Sequence, residues 1–262
     1  MNQRKEEYLW EFFRGTQVPW VLGTELSAIW FNEGKLFIGT KGDGFYILKN
    51  PETAPNERKE IKLNWEHYGH VEGLLDVKVI GFARRAVTGR EPVYALLHPD
   101  GMTFWAGKRD FKPFSFDGRR EYTCITSDLE GNVWLGSNGG GVIRITADDK
   151  ILQYTIGNAN FGSNRITAIV SGSDPSQGKG IALWVACDNV KDGSDQVPGL
   201  RDGRTIESDI DGSTTHFYDG LAWDKWKIPG IRCFLADGSY LWGGTNIRLR
   251  RFYIPNFTDY NK

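Results

Sequence analysis

Cysteine is scarce in this chain, with 3 in 262 residues. An odd, widely spread set argues against a disulfide framework and fits a reducing environment. Long apolar runs are missing too. None approaches the roughly 18 residues of a membrane span, and Met1 to Glu7 lacks the apolar stretch of a secretory signal. These absences predict a chain that does not insert into a membrane and is cytoplasmic or part of a particle. No charge sign dominates: 32 Lys and Arg face 33 Asp and Glu, a net charge of -1. Without a strong single-sign field, nucleic acid is not an expected partner. Helical periodicity is almost absent.

What the chain has is aromatic residues and glycine, 10 Trp, 10 Tyr, 15 Phe and 32 Gly, a composition of short strands and tight turns. The strands repeat. Leu26-Ser27-Ala28-Ile29, then Lys35 to Thr40, then Gly44 to Leu48 recurs as Tyr122 to Ile125, Asn132 to Ser137 and Gly141 to Ile145. Further copies are Ile166 to Ile169 with Ala182 to Cys187, and Ile231 to Phe234 with Tyr240 to Thr245. A weaker copy is Val77 to Ile80 with Pro92 to Leu96. An aromatic strand precedes each copy, the first being Tyr8 to Phe13. Units this short cannot bury both faces alone and must stack. Radial stacking of four-stranded sheets gives an all-β, five-bladed β-propeller. Closure is predicted by pairing of the N- and C-terminal strands, Tyr8 to Phe13 beside Ile247 to Phe252, which removes an exposed edge. Residues 1–262 then form one domain, with an insertion at about 188–214, where the repeat interval is longest.

The pattern apolar-x-x-Ile, Asp-x-x-Gly-Asn-x-Trp-x-Gly-Ser/Thr, Gly-Gly-Gly, apolar strand resembles the two-component-regulator propeller repeat. Ile125 to Ile145 is the fullest copy, with Asp128, Gly131, Asn132, Trp134 and Gly136 in place. Tyr154 to Trp184, through Ser163-Asn164-Arg165 and Ile166 to Ile169, and Tyr218-Asp219-Gly220-Leu221 carry further traces. The resemblance implies a sensor-type propeller, in that family usually periplasmic, with more blades and followed by a signalling helix and kinase. Five copies and no kinase segment depart from that pattern.

The residues just before the inner strands should line the channel mouth; the sequence register makes them Glu25, Asp76, Glu121, Arg165 and Gly230. Converging carboxylates are the apparatus of glycoside hydrolysis, so Glu25, Asp76 and Glu121 are the catalytic candidates if the chain is an enzyme. The competing expectation is that loop-end charges face solvent, since a one-residue slip in register turns a side chain away. Trp223 and Trp226, with Trp20 and Trp105, exceed what the repeat register needs. They are candidates for stacking on a sugar or anchoring a partner, or else for capping blade edges.

Other features point to structure. The aspartates of the insertion, including Asp209-Ile210-Asp211-Gly212-Ser213, begin like a calcium loop, but Gly220 occupies the position of its bidentate glutamate. His67 and His70 have zinc spacing and no further His or Cys near them. Gly139-Gly140-Gly141 lacks the Lys-Ser/Thr of a phosphate loop and reads as a turn. Cys124 and Cys233 share a repeat position with Ala28, Ala168 and Val79, and Cys187 shares one with Thr40, Ser137 and Thr245. All three are therefore expected to pack. Trp134, Trp184 and Trp242, with Phe37 and Tyr94, are expected between blades. No metal or cofactor is implied.

Three functions remain. The first is a non-enzymatic binding or sensing propeller holding a carbohydrate, peptide or protein at its channel mouth. The second is a glycoside hydrolase or lyase, and the third a structural component of a larger assembly such as a phage particle.

Overall fold

The computed structural model describes residues 25–49, 64–70, 73–107, 110–116, 121–172, 182–188, 214–226, 231–237, 240–245 and 249–253. Blade 1 comprises β1 (Leu26–Asn32), β2 (Lys35–Thr40), β3 (Phe45–Leu48) and β4 (Trp65–Tyr68). Blade 2 comprises β5 (Gly81–Arg85), β6 (Val93–His98), β7 (Gly101–Trp105) and β8 (Phe111–Ser115). Blade 3 has β9 (Tyr122–Ser127), β10 (Val133–Ser137), β11 (Val142–Ile145) and β12 (Ile151–Tyr154). Blade 4 has β13 (Ile166–Gly172), β14 (Ala182–Cys187), β15 (Thr214–Tyr218) and β16 (Trp223–Trp226). Blade 5 shows β17 (Cys233–Asp237), β18 (Tyr240–Gly244) and β19 (Leu249–Tyr253). Each sheet is antiparallel and runs in chain order, and the five make a five-bladed β-propeller. One short helix, α1 (Ile156–Ala159), interrupts the strands among the described residues. The expected closing strand at Tyr8 to Phe13 and the insertion beyond Asp188 lie outside the described residues.

A blade is covered by a neighbour on each face, so its second strand must be apolar on both. β10 (Val-Trp-Leu-Gly-Ser) and β14 (Ala-Leu-Trp-Val-Ala-Cys) are buried at every residue. β12, at the rim, is mostly exposed. Alternation along the second strand then assigns neighbours. Phe37 packs on blade 2, Trp134 on blade 4 and Trp184 on blade 5, while Leu135 turns back to blade 2.

The weak copy is where the sequence register slips. Val79 and Phe82, rather than Val77 and Ile80, match Leu26 and Ile29, a shift of two residues. Ala95, not Tyr94, takes the position of Trp134; Tyr94 packs toward blade 1. The cause is the hairpin. His98 pairs with Gly101 across a two-residue turn, Pro99-Asp100, where blades 1 and 3 use four residues, 41–44 and 138–141.

Blades approach most closely where the second strand ends. A Cβ on Gly39 would collide with the carbonyl oxygen of Val79, and one on Gly136 with Cys124 and Ile166. Gly139 and Gly141 have φ of 106° and 74°, the turn geometry that the glycine run requires.

Candidate functional site

Chain direction puts the start of every inner strand at one end of the blades, which is the channel mouth. By repeat position the residues there are Glu25, Lys78, Glu121 and Arg165. Backbone bonds fix the equivalence: the N–H groups of Lys41, Asn138 and Asp188 donate to the carbonyls of Glu25, Glu121 and Arg165. Blade 2 has Pro99 at the donor position, with no N–H to give. Charge therefore alternates from blade to blade, negative, positive, negative, positive.

Each group has its own local setting. Glu25 pairs with Lys41 at 2.6 Å, and that lysine holds its carboxyl below the usual carboxylate range. Glu121 is exposed and accepts from the Asn138 side-chain amide at 2.9 Å. Arg165 is exposed as well. Asp76 lies two residues before Lys78 and accepts its backbone N–H at 2.9 Å. Among the described residues no hydrogen bond or ion pair joins any two of Glu25, Asp76, Glu121 and Arg165.

Trp223 is half-buried between blades 3 and 4, its ring centroid 4.7 Å from Tyr218, 4.9 Å from Phe161 and 5.3 Å from Tyr154. Trp226 lies on the same strand, its backbone paired with Thr215. Trp105 is buried in the core between blades 1 and 2, and Trp20 lies outside the described residues. His67 is held by Asp43, its Nε2 2.9 Å from the carbonyl oxygen, and stacks on Tyr46. Among the described residues no group of His, Cys, Asp and Glu is arranged to hold a metal ion.

Beneath the mouth in blades 2 and 4 lie two histidines that the sequence did not single out. His216 is buried against Phe161, and its Nε2 accepts the Gly162 N–H at 3.3 Å. Burial holds it neutral, with its pKa lowered to about 4. His98 is buried with its ring nitrogens on the Lys78 carbonyl and Thr103 hydroxyl, and burial lowers it also. Cys187 pairs with Thr214, two residues before His216 on β15, but burial raises its thiol to about 12, so it packs. Cys124 is raised to about 11 for the same reason. Cys233 departs from expectation and is exposed.

At the opposite end of the blades, a half-open cleft of about 500 Å³ separates blades 1 and 2. Tyr68 and Tyr94 form its walls. Tyr94 donates to Glu33 at 3.1 Å, and Arg84 pairs with the same carboxylate at 2.8 Å. Across the cleft Tyr68 donates to Glu66, which pairs with Lys49. Burial, then the adjacent carboxylate, raises both phenols. Tyr94 lies between blades as expected, packed with Phe37 and Trp105, and the cleft opens beside it.

No protein-family model and no curated protein matches the sequence. Solved structures do match. The extracellular domain of BT3049 of B. thetaiotaomicron, described as a hybrid two-component system, aligns with a TM-score of 0.59 at 15% identity, covering 89% of this chain and 27% of its own. BBS1N, solved in complex with ARL6DN, aligns at 0.55 and 12% identity, covering 88% of this chain and 67% of that one. Virginiamycin B lyase from Staphylococcus aureus, as a catalytically inactive H270A variant with quinupristin, aligns at 0.54 and 12%, covering 86% and 64%. At such identity the likeness defines a β-propeller. The chain spans about a quarter of the BT3049 domain. No described helix is long and apolar enough to cross a membrane.

Proposed function

We propose that this chain is a binding propeller of the sensor type, whose channel mouth holds a peptide or a segment of a protein through charges of both signs. The observation that carries the reading is the alternation of Glu25, Lys78, Glu121 and Arg165 at one repeat position. Alternating charges, exposed at Glu25, Glu121 and Arg165 and half-buried at Lys78, select a partner with complementary alternation and repel a uniformly charged one. BBS1N, a protein of the same fold, was solved with a protein partner. Residues 1–262 act in this reading as one propeller domain, with an insertion at about 188–214.

The chemistry of Glu25 favours binding over glycoside hydrolysis. A catalytic acid needs its carboxyl raised toward neutrality, and Lys41 moves this one the other way.

A peptide array probed with the purified chain tests the proposal. Binding that falls at least tenfold in both Glu121→Lys and Arg165→Glu, at unchanged melting temperature, is the expected result. Binding indifferent to both reversals would overturn it. Selective retention on a glycan array, lost in Glu25→Gln and Glu121→Gln, would replace the peptide with a carbohydrate.

A further inference from the structure

Two blade junctions draw their aromatic rings from the same repeat positions. Between blades 3 and 4 these hold Trp134, Tyr154, Tyr218 and Trp223, and between blades 1 and 2 they hold Phe37, Tyr68, Trp105 and Phe111. The third strand makes the difference. Opposite Trp134 stands Arg144, its guanidinium 5.0 Å from the indole centroid, whereas opposite Phe37 stands Ile47. Ile47 is shorter and uncharged, and it lines the cleft of about 500 Å³ together with Tyr68, Tyr94 and Trp105. Every residue that lines this cleft is among the described ones.

The polar groups of the cleft are unevenly engaged. Glu33 accepts from Arg84 Nε at 2.8 Å on one oxygen and from the Tyr94 hydroxyl at 3.1 Å on the other. Glu66 takes Lys49 on one oxygen and the Tyr68 hydroxyl at 3.2 Å on the other. All four carboxylate oxygens thus have a partner. The cations do not. Among the described residues the two terminal nitrogens of Arg84 and the ammonium of half-buried Lys35 make no hydrogen bond or ion pair. Lys35, Lys49 and Arg84 line the cleft against two carboxylates, so its lining has excess positive charge and spare donors.

We propose that the cleft between blades 1 and 2 is a binding site for a small, flat organic acid, a carboxylate carried on an aromatic body. The terminal fork of Arg84, fixed through Nε by Glu33, matches a carboxylate with two parallel N–H···O bonds, and Lys35 adds a second cation. A single carboxylate also cancels the excess charge of the lining. Tyr68 and Tyr94 give the aromatic body its walls, and the volume is that of a small-molecule pocket. Other ligand classes fit these groups less well. An organic cation would meet three like charges and find the carboxylates already engaged, and a sugar would find donors but no unengaged carboxylate for its hydroxyls. The cleft lies at the opposite end of the blades from the channel mouth, so this inference is independent of what binds there.

Equilibrium dialysis of the full chain against naphthoate tests this, with naphthamide, acetate and naphthylmethylamine as its neutral, ring-free and cationic counterparts. The acid is expected to bind at least tenfold more tightly than each of the three. Arg84→Gln should weaken it by about tenfold and Lys35→Gln should weaken it as well, both at unchanged melting temperature. The Lys35 side chain makes no bond among the described residues, so its variant keeps the test decisive if Arg84→Gln does not fold. Ile47→Arg, which copies the Arg144 arrangement, should fill the cleft and abolish binding. Glu121→Lys, at the channel mouth, should leave naphthoate binding as it was. No binding at millimolar naphthoate, equal binding of acid and amide, or an affinity unmoved in Lys35→Gln would each overturn the inference. Loss of binding in Glu121→Lys would place the acid at the mouth, and tighter binding of naphthyl phosphate would make the ligand a phosphate; either also overturns it.

Discussion

The indole N–H of Trp134 donates to the buried carboxylate of Asp128 at 2.7 Å, and this bond gives the six-residue spacing of the two residues in the fullest copy of the repeat a physical reason. The same carboxylate accepts the backbone N–H groups of Glu130 and Asn132 and the Asn132 side chain. The Asp-x-x-Gly-Asn-x-Trp pattern is thus a turn that fastens a core tryptophan. Asp128→Ala would strand several buried donors at once. It should lower stability by about 3 kcal/mol in urea unfolding, with binding at the distant mouth intact in the folded fraction.

Arg85 joins blade 2 to blade 3. Its side chain is buried and donates to the carbonyls of Gly131, Thr146 and Ala147 at 3.1, 2.8 and 3.2 Å, with Asp149 at 2.7 Å. Arg85→Met keeps the stem and loses the fork, so it should destabilise by about 2–3 kcal/mol. Arg85→Lys should recover little, because an ammonium cannot reach two turns at once. Thermal unfolding of the two variants side by side checks this.

Acidification should loosen blade 4. His216 has a folded pKa of about 4 against an ordinary value of 6.5, so the unfolded chain binds its proton first as pH falls. Its contribution is full above about pH 6.5, declines between 6.5 and 4, and is gone below; the total is at most about 3 kcal/mol. His98 is shifted in the same direction. Urea midpoints at pH 7, 5.5 and 4.5 should fall in the parent and flatten in His216→Gln. A parent curve that is already flat would contradict the assignment.

The glycines at blade contacts should separate cleanly from those in turns. Gly39→Ala pushes a methyl into the Val79 carbonyl, and a loss of about 1–3 kcal/mol is expected. Gly42→Ala meets nothing within 4 Å and needs no left-handed backbone, so its melting temperature should match the parent.

The repeat was legible because a blade strand is apolar on both faces and ends in a small residue, a constraint that Phe37-Ile38-Gly39 and Trp134-Leu135-Gly136 state openly. Cys187 was readable as packing through its alignment with Thr40 and Ser137. Copy 2 was misread because Val77, Val79 and Ile80 all satisfy an apolar pattern, and only the Pro99-Asp100 hairpin sets the register. That two-residue shift put Lys78 at the mouth where Asp76 was expected.

The sequence by itself determined the all-β class, the five repeats, the turns that need glycine and the residues that pack between blades, since each depends on neighbours a few positions away. Tertiary structure alone decided which charge faces the mouth in blade 2, that Tyr94 walls a cleft, that His216 is held neutral and that Cys233, Leu235 and Ile29 are uncovered. Those outcomes depend on which blade lies against which, and a repeat written along one chain does not say what lies beyond its last copy.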